Sequence, residues 1–110
     1  MTQAFQKQIA GFDDAVQQRF LILCDLVLAV SQGMAQEKLW AKLPSFYMGE
    51  RFVRIIPFRD HINLEAAAVT AHIADLSEYR VTPKGMLQLY QHQPLPMEML
   101  KIIIKESLCV

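Results

Sequence analysis

Residues 37–65, EKLWAKLPSFYMGERFVRIIPFRDHINLE, decide the fold. Before them the apolar residues recur at helical spacing; from Glu37 onward they alternate. Leu39, Ala41 and Leu43 alternate with Lys38, Trp40 and Lys42, so this segment reads as a first strand, broken or edged by Pro44. Ser45 to Met48 reads as a second strand, and Met48-Gly49-Glu50-Arg51 as a tight turn. Phe52 to Phe58 makes a third strand. Asp60 turns the chain into a fourth, His61 to Glu65, with Ile62 and Leu64 inward. Four strands with short connections form an antiparallel meander, because parallel neighbours need long crossovers.

Outward from this core, the N-terminal third is helical. A short helix covers Gln3 to Ile9 and stops at Gly11. Asp13 or Asp14 caps a second helix that runs to about Ser31, with Gly33 ending it. Val16, Phe20, Leu23, Val27 and Val30 form its core stripe; Gln18, Leu21, Asp25, Leu28 and Gln32 lie opposite. Leu21 and Leu28 on that face mark either a homodimer patch or a surface covered by a further layer. Downstream, Ala66 to about Tyr79 is predicted helical, burying Val69, Ile73 and Leu76. Thr82-Pro83-Lys84-Gly85 is a turn. Met86 to Tyr90 is a fifth strand, and Pro96 opens a last helix, Met97 to Leu108, that buries Met99 or Leu100, Ile103 and Leu108. The expectation is one α+β domain over residues 1–110, a five-stranded antiparallel sheet with helices packed on one face.

Composition limits the partners. Hydrophobic residues make up 53% of the 110, enough to fold without disulfide or metal staples. The 11 basic and 11 acidic residues cancel, so the phosphate-binding excess expected of a nucleic-acid partner is missing. Phe20 to Val30 is the most apolar run, but it has Asp25 in its middle and falls well short of the roughly 20 residues a bilayer crossing needs. Cys24 and Cys109 belong to no CxxC pair and read as reduced thiols, and the N-terminus lacks a secretory pattern. Together these predict a cytoplasmic protein with no membrane partner.

Several segments resemble the YdhG-like domain family, in order and spacing over nearly the whole chain. They are Glu37-Lys38-Leu39-Trp40-Ala41-Lys42-Leu43-Pro44-Ser45-Phe46, then Phe58-Arg59-Asp60-His61-Ile62-Asn63-Leu64, then Lys84-Gly85-Met86-Leu87-Gln88-Leu89, and the helix bounded by Pro94-Leu95-Pro96. Trp40 stands where that family more often has Tyr, and Ala41-Lys42-Leu43 replaces a glycine-containing step. The resemblance implies a frataxin-like α+β fold. It also implies, for some relatives, an iron chaperone role; most members have no established activity.

The residues themselves point to a sheet face. Lys38, Trp40 and Lys42 share one side of the first strand, and His61, Asn63 and Glu65 the polar side of the fourth. Gln88 and Tyr90 occupy that side of the fifth. Arg54 joins them or not, since the third strand is apolar on both sides. The candidate ligand-binding set is Trp40, Lys42, His61, Asn63, Gln88 and Tyr90, with Lys84 from the Lys-Gly turn. The alternative is a solvated face on which Trp40 packs under a helix edge or a partner subunit. His61, His72 and His92 form no HxH or HExxH spacing, and the acids form no ridge of the kind that holds iron in frataxins. No nucleophile–base pair is visible, so an enzyme ranks last. A small-ligand binding protein ranks first, ahead of a metal carrier and a homodimeric interaction module.

Overall fold

The computed structural model describes residues 1–109. Two helices, α1 (Gln3–Ile9) and α2 (Asp14–Val30), precede the strands β1 (Gln36–Trp40), β2 (Leu43–Met48), β3 (Arg51–Pro57) and β4 (His61–Ala66). A 3-10 segment (Ala67–Leu76) leads to β5 (Arg80–Val81) and β6 (Leu87–Tyr90), and α3 (Met97–Leu108) closes the chain. The strands form one antiparallel sheet in the order β1-β2-β3-β4-β6-β5. The architecture is α+β as expected, but the sheet has six strands rather than five. The additional strand is the two-residue β5, which pairs Arg80 with Gln88 and Val81 with Leu87 at the sheet edge. Two residues are too few to show a period.

The helices cover one face of the sheet. Phe46, Val53, Ile55, Ile62, Leu64, Leu87 and Leu89 are buried beneath them. Val16, Phe20, Leu23 and Val27 supply the stripe of α2, and Leu100, Ile103, Ile104 and Leu108 that of α3. Leu100, not Met99, is the buried residue at that position. Phe5 ties three elements together, meeting Phe20 edge-on at 6.1 Å and Phe46 at 5.5 Å, a geometry aromatic pairs favour. Gly33, at φ +75, donates its N–H to the Leu28 carbonyl at 2.8 Å and ends α2.

Two expected elements differ. The first strand stops at Trp40, and Ala41 and Lys42 form a two-residue hairpin loop with φ of +50° and +67°. Hairpins favour such turns because their twist matches that of the strands. Neither residue is the glycine or asparagine that normally marks them, so in the sequence the alternation runs straight through the turn. The segment after β4 is a 3-10 helix kinked at His72 (φ −119°, ψ 22°), not an α-helix over 66–79. With three residues per turn and a break at His72, the α-type relation between Val69 and Ile73 is lost. Val69 and Leu76 stay buried, while Ile73 is 51% exposed.

Candidate functional site on the outer sheet face

The strand register fixes which side chains share the uncovered face. Lys38 pairs with Ser45, Ser45 with Arg54, and Arg54 with Glu65. Two residues along, Trp40 pairs with Leu43, Ile56 with Asn63, and Asn63 with Gln88. One step further, His61 pairs with Tyr90. Paired residues project to the same side and alternate residues share it. Trp40, His61, Asn63, Gln88 and Tyr90 therefore stand on one face, opposite the helices. Lys42 does not, because it sits in the hairpin turn. Lys84 lies in the Thr82–Gly85 turn, beside a cleft at the end of the sheet rather than among the aromatic residues.

Arg54 is the centre of the face, and the register settles the parity that its apolar neighbours obscured. Its side chain lies over the rings of Trp40 at 4.2 Å and Phe52 at 3.8 Å. One terminal nitrogen donates to Tyr47 Oη at 3.1 Å and the other to Glu65 Oε1 at 3.3 Å. Ser45, small and buried, is its cross-strand neighbour. Arg54 is only 5% exposed and its buried Nε has no hydrogen-bond partner. Stacking of this kind is worth about 0.5–2 kcal/mol per ring. Trp40, by contrast, remains 53% exposed.

A second cluster lies towards the Asp60 end of the face. Phe58 stacks on His61 at 4.5 Å and His61 on Tyr90 at 4.7 Å, with His92 at 6.0 Å from Tyr90. His61 Nδ1 lies 2.8 Å from Asp60 Oδ1, and this hydrogen bond holds the Asp60 carboxyl below its ordinary pKa. The contact assigns the imidazole proton to Nδ1 when the ring is neutral, leaving Nε2 as the acceptor. On the helix side Arg19 anchors the end of β6, donating to the carbonyls of Tyr90 at 3.1 Å and Gln93 at 2.9 Å. Between the clusters lie Ile56 and Asn63; Asn63 Oδ1 is buried and unpartnered. Tyr47, Phe52 and Phe58 belong to the face but were not singled out by the sequence. The usable signal is their even spacing from Arg54 and from its neighbours along β2 and β3.

Iron carried as cargo needs several hard oxygen donors meeting at a point. Among the described residues no three His, Cys, Asp or Glu side chains come together in that way. His72 has Glu106 at 2.7 Å from Nε2 and Asp75 at 3.7 Å from Nδ1, so its two acids sit on opposite sides of the ring. These residues do not fit an iron site. Among the described residues no helix is long and apolar enough to cross a membrane.

Fold and face together define an α+β domain that leaves one side of its sheet uncovered and lines it with aromatic rings around a buried arginine. No family model, curated protein or solved structure matches the chain.

Proposed function

We propose that the protein is a non-enzymatic binding domain that takes a small aromatic or anionic ligand on its outer sheet face. The observation that carries this reading is the Trp40–Arg54 pair. A half-exposed indole is supported from behind by a guanidinium that is itself fixed by Phe52, Tyr47 and Glu65. Burying a guanidinium with an unpartnered Nε costs about 1–3 kcal/mol, an arrangement that a merely solvated surface does not require. A planar ligand stacking on the free side of Trp40 gains contact without ordering the ring first. The positive charge beneath favours one that carries a carboxylate or phosphate.

Trp40 is the only tryptophan, so its fluorescence reports the face directly. A panel of aromatic acids and nucleotides is expected to contain compounds that quench Trp40 and raise the melting temperature together. A panel that does neither removes the reading, since a ligand of the native state must stabilise it. The same proposal takes the chain as a YdhG-like, frataxin-like domain, on the strength of the motifs in residues 37–64, 84–89 and from Pro94 onward.

A second reading, a homodimeric module, draws on Leu21 and Ile22 of α2 and Ile102 of α3, all of them exposed. Leu28 is half-buried and packs on the core, so that patch is smaller than the sequence suggests. Sedimentation separates the two: a monomer at high micromolar concentration excludes the dimer.

A further inference from the structure

The ladder between β3 and β4 ends at Val53–Ala66, although β3 begins at Arg51. After Ala66 the chain leaves the sheet as the 3-10 segment, and Arg51 and Phe52 run on without a strand partner on that side. A cleft of about 430 Å³ occupies the resulting notch, within the size range of small-molecule sites. Phe52 and Glu65 line it from the strands, Thr70 from the 3-10 segment, Lys84 from the turn before β6, and Ser107 from α3. Gly85 lets that turn close on the 3-10 segment. Its φ is +87°, and a Cβ there would stand 3.1 Å from Thr70 Cγ2.

The chemistry of the lining is two-signed. Lys84 makes no ion pair among the described residues. Ser107 is buried, and its Oγ accepts the Ala68 N–H at 3.1 Å, which leaves its own hydrogen free to donate. Glu65 spends Oε1 on Arg54, which leaves Oε2 for another donor. Glu50 and Arg51 add one further charge of each sign. A simple anion would meet Glu50 and Glu65 unfavourably, and a simple cation would meet Arg51 and Lys84. A small molecule with both charges satisfies the two sets at once.

We infer that this notch binds a small amino-carboxylate zwitterion. Its carboxylate is received by Lys84 and the Ser107 hydroxyl, its ammonium by Glu65, and its side chain rests on Phe52. This site borders the aromatic sheet face and shares Phe52 and Glu65 with it, but it does not depend on a ligand binding at Trp40.

The test is calorimetric titration of the intact chain with glycine, larger apolar amino acids, acetate and methylamine. Saturable binding of amino acids, tighter than that of acetate or methylamine, is expected. Lys84→Ala is expected to weaken it about tenfold, the loss of one charge-assisted hydrogen bond. Lys84 is exposed, so the variant keeps its fold. Acetate binding as tightly as the amino acids, unchanged affinity in Lys84→Ala, or no saturable heat at high millimolar concentration would each overturn the inference.

Discussion

Replacing Arg54 separates charge from packing on the outer face. Arg54→Met keeps most of the volume and removes the guanidinium. It forfeits the bond to Tyr47, about 1.5 kcal/mol for a charged donor. The 3.3 Å contact to the partly exposed Glu65 adds roughly 0.5–1 kcal/mol. Stacking on Trp40 and Phe52 adds about 0.5–1 kcal/mol each. Against this, the variant no longer buries an unpartnered Nε, which returns about 1–2 kcal/mol. The methionine sulfur also keeps some ring contact, about 0.5 kcal/mol. The net loss is about 0.5–3 kcal/mol, centred near 1.7 kcal/mol, which at the centre is a fall in melting temperature of roughly 7 °C for a chain of this length. Arg54→Ala also removes the stem that fills the space between the rings, and is expected to lose about 2 kcal/mol more. Differential scanning calorimetry gives both values, and Trp40 emission is expected to shift to the red in the alanine variant. A methionine variant as stable as the wild type, or an alanine variant no worse than the methionine one, would refute this account of how the face is held.

Trp40→Ala is expected to cost only about 1–2 kcal/mol, because half of the side chain is already in water, yet to abolish ligand binding on the face. Lys42→Gly is expected to gain about 0.5 kcal/mol in thermal unfolding. Relief of a left-handed residue, about 1–2 kcal/mol, outweighs the added chain entropy of about 0.5–1 kcal/mol. His72 has its pKa raised, chiefly by the hydrogen bond to Glu106. Its contribution is therefore complete below its unfolded value of 6.5 and lost as pH rises through the higher native value, so the melting-temperature gap between wild type and His72→Gln should be wider at acidic than at alkaline pH. Burial pushes the Cys24 thiol up to about 12, so mild alkylation of the native protein should modify Cys109 and spare Cys24 until the chain is unfolded.

The parity of Trp40 and His61 was legible because the residue types of β1 and β4 alternate: Lys38 and Trp40 are exposed where Glu37 and Leu39 are half-buried, and Ile62 and Leu64 form the buried side of β4. Arg54 was not. Its strand reads Val53-Arg54-Ile55-Ile56, apolar on both sides, and Ile56 is buried although it belongs to the outer face. Only pairing with Ser45 and Glu65 decides the matter. Lys42 was misplaced because Ala41-Lys42 lacks the residues that announce a primed turn. The notch at Lys84 was hidden for a different reason: it is made where β4 ends before β3 begins, a relation between distant segments that no local pattern carries. The short helix of residues 66–79 was misjudged because alanines suit 3-10 and α geometry alike, while the kink lies at a histidine with no special backbone signature.

The most direct examination is an NMR titration of the isotope-labelled chain with the aromatic acids and nucleotides that quench its tryptophan. Shifts should concentrate at the Trp40 indole and at the amides of Arg54, Asn63, His61 and Tyr90, leaving α2 and α3 unmoved. Shifts confined to the helical layer, or an absence of shifts at those five positions under saturating ligand, would contradict the account.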